Sequence, residues 1–74
     1  GRIDAVLKTP NHIYVIEFKK DKSSQVALDQ IKEMEYQEQY RAWKNEMPQK
    51  RIHLLGVNFS TEKRNIYDWV EEMV

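Results

Sequence analysis

The sequence predicts a mixed α/β (α+β) domain: an N-terminal β-hairpin, a crossover helix, a parallel strand and a closing antiparallel strand. Three observations carry that expectation. A turn signal separates two apolar-rich runs near the start. After Ser24 the apolar period lengthens to that of a helix. A mostly apolar run from Arg51 to Phe59 then follows.

The hairpin joins Arg2–Leu7 to Ile13–Lys19 through Thr9-Pro10-Asn11-His12. Proline presets φ for the first corner, and asparagine tolerates the second. A turn centred there pairs residues whose numbers sum to twenty-one. Asp4 then faces Glu17, Arg2 faces Lys19 and Val6 faces Val15. The other face pairs Ile3 with Phe18, Ala5 with Ile16 and Leu7 with Tyr14. A slip of one residue would set each carboxylate against an apolar partner, so the pattern specifies the register. Two carboxylates about 5 Å apart at Cβ repel, and a divalent cation is the simplest thing that favours them.

Lys20-Asp21-Lys22-Ser23-Ser24 is a polar connector, and Ser23 or Ser24 suits a helix cap. Val26, Ala27, Ile31 and Met34 recur at helical spacing, with Gln30 and Tyr40 near that face. The helix is expected from about Ser24 to near Trp43, ended by Asn45 and Pro48. Arg51 to Phe59 reads as a buried strand, Ser60-Thr61-Glu62-Lys63 as a turn, and Arg64 to about Val70 as a closing strand. Ile66, Trp69, Val70 and Met73 would also suit a short helix. Strand, helix, strand is a right-handed crossover joining a parallel pair.

The 74 residues make one small domain, with no cysteine and 12 basic residues against 12 acidic. Without cysteine there is neither a disulfide nor a thiolate zinc site, which fits a reducing compartment; the cytoplasm is the expected location. No stretch has the apolar length of a membrane span. The chain opens at Gly1 directly before a strand, and residues 1–74 read as a partial domain of something longer. Charge is neutral in total, but Lys19, Lys20 and Lys22 cluster past the hairpin and Lys50-Arg51 and Lys63-Arg64 form basic pairs, with Lys20, Lys22 and Arg64 the candidates to hold phosphates. His12 and His53 read as isolated, and Tyr36, Tyr40, Trp43 and Trp69 as core or interface packing.

Asp4, then Glu17-Phe18-Lys19, reproduces the pattern Asp…Glu-x-Lys, and the following helix carries Gln30. This order of elements and residues resembles the second half of the core of the PD-(D/E)XK superfamily, the restriction-endonuclease-like nucleases. More narrowly, GRIDAVL, IYVIEFK, ALDQIKEMEY and GVNFSTEKRNIYDW look like the C-terminal nuclease-like domain of bacterial proteins whose N-terminal part is an AAA-type ATPase. The resemblance implies metal-dependent phosphodiester hydrolysis with Mg²⁺ or Mn²⁺ on Asp4, Glu17 and the Phe18 backbone carbonyl. It implies a water- or phosphate-facing role for Lys19 and Gln30. Nucleic acid, DNA rather than RNA, is the implied substrate, and the ATPase region of the same protein an implied partner.

The family's core also begins with a helix and a strand that this chain lacks. The Asp4 strand is then an edge, one apolar sheet face is uncovered, and a homodimer or a swap of elements is expected to cover it. The fragment alone is expected to be inactive. Relatives of this kind tend to carry glycine before Tyr36; with Glu35 there, the helix is expected to run on. Two function classes fit these features. One is a nuclease, which Asp4→Ala or Lys19→Ala would disable. The other is a non-catalytic module attached to an ATPase, which would lose affinity through Lys20, Lys22 or Arg64 instead.

Overall fold

A computed structural model describes residues 3–45 and 50–74. Its sheet has the order β1-β2-β3-β4, with β1 Ala5–Lys8, β2 His12–Lys20, β3 Arg51–Ser60 and β4 Asn65–Met73. β1 and β2 are antiparallel, β2 and β3 parallel, β3 and β4 antiparallel. This is the mixed sheet expected from the sequence.

The hairpin register holds in every pair of the β1–β2 ladder: Ala5 with Ile16, Val6 with Val15, Leu7 with Tyr14, Lys8 with Ile13. The turn closes through Thr9, whose N–H donates to the His12 carbonyl at 2.8 Å and whose hydroxyl accepts the His12 N–H at 3.0 Å. Asp4 differs from expectation. It sits in a bend just before β1, and its carboxylate Oδ2 accepts the Phe18 N–H at 2.9 Å. An acidic side chain thus occupies the place where a ladder bond would continue. The Arg2–Lys19 pairing falls on a residue outside the described ones.

The crossover helix α1 spans Ser24–Met34, with the Ser23 hydroxyl accepting the Val26 N–H at 3.2 Å. Its buried side chains are Ser24, Ala27, Leu28 and Ile31, a stripe at three- and four-residue spacing. Val26 and Met34, expected inward, are each 45% exposed because they fall off that stripe. The helix is also shorter than expected. Glu35 takes a left-handed conformation (φ 56°) and its N–H caps the carbonyls of Ile31 and Lys32. A 3₁₀ turn, Tyr36–Tyr40, and a short helix α2, Arg41–Lys44, follow. The reversal at Glu35 turns Tyr36 into the core, where it is 7% exposed. Burial of that ring opposes the cost of the left-handed residue, about 1–2 kcal/mol. Asn45 caps α2, and Pro48 lies outside the described residues.

Residues 65–73 form a strand rather than a short helix, longer than expected, with a register shift between Asn58 and Phe59. The core is a single layer between α1 and one sheet face: Ile13, Val15, Leu28, Ile31, Tyr36, Ile52 and Leu54. Each fully buried aliphatic side chain there contributes about 1.5–3 kcal/mol. The opposite sheet face carries no helix among the described residues. The registers place Leu7, Phe18, Phe59, Ile66, Trp69 and Met73 on it, all exposed. Trp69 is 67% exposed, so it is not core packing within this chain.

Candidate active site

Glu17 lies on the covered side of β2, continuing the buried line Ile13, Val15. It is 4% exposed. In the parallel ladder its neighbour is Gly56, and α1 lies against β3 at that point. A Cβ on Gly56 would stand 2.3 Å from the Ser24 carbonyl oxygen and 2.6 Å from the Leu28 nitrogen. Only glycine lets the helix come this close, and the approach carries Gln30 over the sheet. Gln30 Nε2 donates to Glu17 Oε1 at 2.5 Å.

The second carboxyl oxygen, Glu17 Oε2, is buried and has no hydrogen-bond donor. Burial pushes the Glu17 carboxyl up to about 7. The Asp4 carboxylate beside it adds to the rise, both as a partner for a shared proton and through its charge. Lys19 and the Gln30 amide act against it. Lys19 stands two residues on, half-buried and on the same side of the strand. Hairpin and helix therefore bring Asp4, Glu17, Lys19 and Gln30 to one place, at the carboxyl end of β2. Open α/β sheets bind ligands at such strand ends.

An orphaned buried oxygen beside a second carboxylate is a mismatch that a proton or a cation resolves. The donor set is oxygen only and fits Mg²⁺ or Mn²⁺, which keep several waters and need one or two carboxylates. Among the described residues no three His, Cys, Asp or Glu side chains converge as a metal-binding group. Among the described residues, two carboxylates would be the side-chain contribution to such a site. The Phe18 N–H, by contrast, is already held by Asp4, and its ring points to the uncovered face.

The basic residues are divided. Asp21 (φ 53°) joins the β2–α1 connector to the β3–β4 turn, accepting the Thr61 N–H at 2.9 Å and the Thr61 hydroxyl at 2.5 Å. Thr61 holds the Asp21 carboxyl below its usual range. Lys22 and Lys63 line the groove this creates, together with Asp21, Glu62 and Asp68. Lys20 and Arg64 are exposed and outside that lining. The groove is of mixed charge.

Three features escaped the sequence reading. In sequence Gly56 is simply part of an apolar strand. The Asp21–Thr61 tie links residues forty positions apart. His12 and His53, read as isolated, are hydrogen-bonded to one another at 2.8 Å. Parallel pairing places His12 beside Arg51 and Tyr14 beside His53, a proximity that no sequence spacing encodes.

Over residues 1–69 the chain matches the PD-(D/E)XK nuclease superfamily. The chain belongs to that superfamily. It is also 38% identical over 74 residues to an uncharacterized protein in the vnfD 5′ region of Azotobacter chroococcum mcd 1. That match covers 97% of this chain but spans 13% of the relative's length. No solved structure matches the chain. The superfamily is named for its nucleases. Nucleases of this kind typically use divalent metal ions, and the oxygen donors beside Glu17 suit them. No helix of the described residues is long and apolar enough to cross a membrane.

Proposed function

We propose that this chain is the metal-binding half of a phosphodiesterase centre acting on nucleic acid, DNA in preference to RNA. The observation that carries the reading is Glu17: a buried carboxyl, one oxygen bound to Gln30, the other without a donor, beside Asp4. Asp4 and Glu17 would hold Mg²⁺ or Mn²⁺, with the Phe18 carbonyl as a further ligand. A bound ion shields the phosphate, supplies an activated water and stabilises the leaving oxygen.

The chain's own residues then have distinct tasks. A cation beside Glu17 and Asp4 would favour the ionised form of Glu17, which burial and the neighbouring Asp4 oppose. Gln30 holds the Glu17 carboxyl in one rotamer, so its free oxygen faces the same space as Asp4. Lys19 sets a positive charge next to that space, where negative charge grows on a phosphorane-like transition state. Lys20, Lys22 and Arg64 lie at the same end of the sheet and would hold flanking phosphates.

The rest of the reading concerns the protein around the chain. Residues 1–74 are a partial domain lacking the first helix and first strand, within a longer bacterial, cytoplasmic protein that also carries an ATPase region. The uncovered apolar face supports pairing of two copies in the isolated chain.

The test is Mn²⁺ titration of the full-length protein, followed at the hairpin by paramagnetic broadening, then a cleavage assay. Binding is expected to require both Asp4 and Glu17, and cleavage to be lost on Asp4→Ala or Lys19→Ala. Mn²⁺ binding indifferent to either carboxylate ends the catalytic reading. Intact binding of nucleic acid by Asp4→Ala, with loss on Lys22→Ala and no metal-dependent cleavage by the parent, would establish a binding module instead.

A further inference from the structure

On the face of the sheet turned away from α1, three strands contribute one hydrogen-bonded row. His12 of β2 lies with its Nδ1 2.8 Å from Nε2 of His53 on β3. His53 Nδ1 lies 2.7 Å from Oε2 of Glu71 on β4. The Tyr14 ring stacks on His53, with centroids 4.4 Å apart and planes 14° apart, and on His12 at 6.2 Å. The rings are therefore held from the side as well as along the row. His53 is 8% exposed, and His12 is half-exposed at the rim.

The chemistry of the row assigns its protons. An ionised carboxylate only accepts hydrogen bonds, so Glu71 requires the proton of a neutral His53 on Nδ1. Nε2 of His53 is then a bare lone pair aimed at His12. A carboxylate behind one imidazole nitrogen, with the other nitrogen free, is the arrangement that orients metal-ligating histidines. His12 Nδ1 occupies the second ligand position. A tetrahedral ion bound at about 2.0–2.1 Å holds two nitrogens roughly 3.3 Å apart, so entry needs an opening of about 0.5 Å and a sideways swing of His12 by about 2 Å off the axis of the hydrogen bond. The half-exposed His12 ring, next to the hairpin turn, can supply it.

We propose that His12 and His53 form a second metal site, a two-imidazole clamp for a borderline first-row ion such as Zn²⁺, oriented by Glu71. It lies five residues along β2 from Glu17, about 16 Å away, and on the opposite face of the sheet. Its donors are nitrogens, which select Zn²⁺, Ni²⁺ or Cu²⁺ and not Mg²⁺. On binding, the proton of His12 Nδ1 leaves to solvent and His12 takes one up on Nε2, so the ion sits between two neutral imidazoles and bridges β2 to β3. The remaining coordination positions face the uncovered side and take water. The two sites are thus chemically separate, one hard and one borderline.

The experiment is zinc titration by calorimetry on the full-length protein carrying Asp4→Asn and Glu17→Gln, so that carboxylate binding at the first site is silenced. One zinc per chain, not displaced by excess Mg²⁺, is expected. Adding His12→Ala should weaken binding at least tenfold, and Glu71→Gln by about 10–100-fold. Zinc should also raise the melting temperature of that double variant but not of the same protein with His12→Ala added, which separates ligation from a merely structural hydrogen bond. Absence of zinc binding, or binding unchanged by His12→Ala, overturns the proposal. Neither result bears on the Mg²⁺ site, whose carboxylates are already removed.

Discussion

Gly56 stands beside Glu17 in the parallel pairing of β2 and β3, and α1 rests on the space its missing side chain leaves. The contacts that a Cβ would make are with backbone atoms of Ser24 and Leu28, which cannot swing aside. Gly56→Ala must therefore lift the helix. A loss of about 1–3 kcal/mol is expected, read as a fall in melting temperature. Mn²⁺ affinity should fall with it, because Gln30 rides on the same helix.

Glu17 makes stability depend on pH in a definite direction. Its carboxyl is pushed up to about 7 in the folded chain from the ordinary 4.5 of glutamate. Between these values the folded state holds the extra proton. Stability is therefore fullest below about pH 4.5 on this account and falls as pH rises through 7. Melting curves of the metal-free protein should show that fall, and Glu17→Gln should flatten it.

Metal and proton compete for the same oxygens. Below pH 7, Mn²⁺ affinity should climb about tenfold per pH unit and level off above it. Calorimetry across that range checks the slope. A flat profile would mean that the ion binds without Glu17.

Gln30 favours the ionised form of Glu17 by donating to it. Gln30→Ala removes the donor and leaves the burial. The Glu17 titration midpoint, followed by the carboxyl carbon signal in NMR, should move above about 7. A midpoint that stays put would show that solvent takes the place of the amide.

Glu35 occupies a conformation that glycine adopts freely. Relief of strain in Glu35→Gly is partly offset by the greater freedom of the unfolded chain, so the gain should be at most about 1 kcal/mol. Glu35→Val, β-branched at positive φ, should lose more than that. Urea unfolding of the three proteins orders them.

How much of this could be read from residues alone depended on the range of the interaction. The hairpin register was legible because Pro10-Asn11 marks its centre and the alternation forbids a slip. The closeness of Asp4 and Glu17 followed from it, although Asp4 reaches Phe18 from a bend rather than from the ladder. The end of α1 departs from local sequence preference for a physical reason. Local propensity favours helix at Glu35, but burial of Tyr36 acts against it from outside the segment. Gly56 and the His12–His53–Glu71 row became visible only with the β2–β3 and β3–β4 registers, which bring distant residues together.

The parallel pairing also orders events in time. Asp4 and Glu17 are joined by a hairpin, a contact over thirteen residues that forms in microseconds. Gly56 arrives only after the chain has closed a loop of some forty residues, which is slower. A chain emerging from the ribosome would thus assemble its acidic pair first, open to water and to any ion there. The helix that dries Glu17 and raises its proton affinity closes over it afterwards.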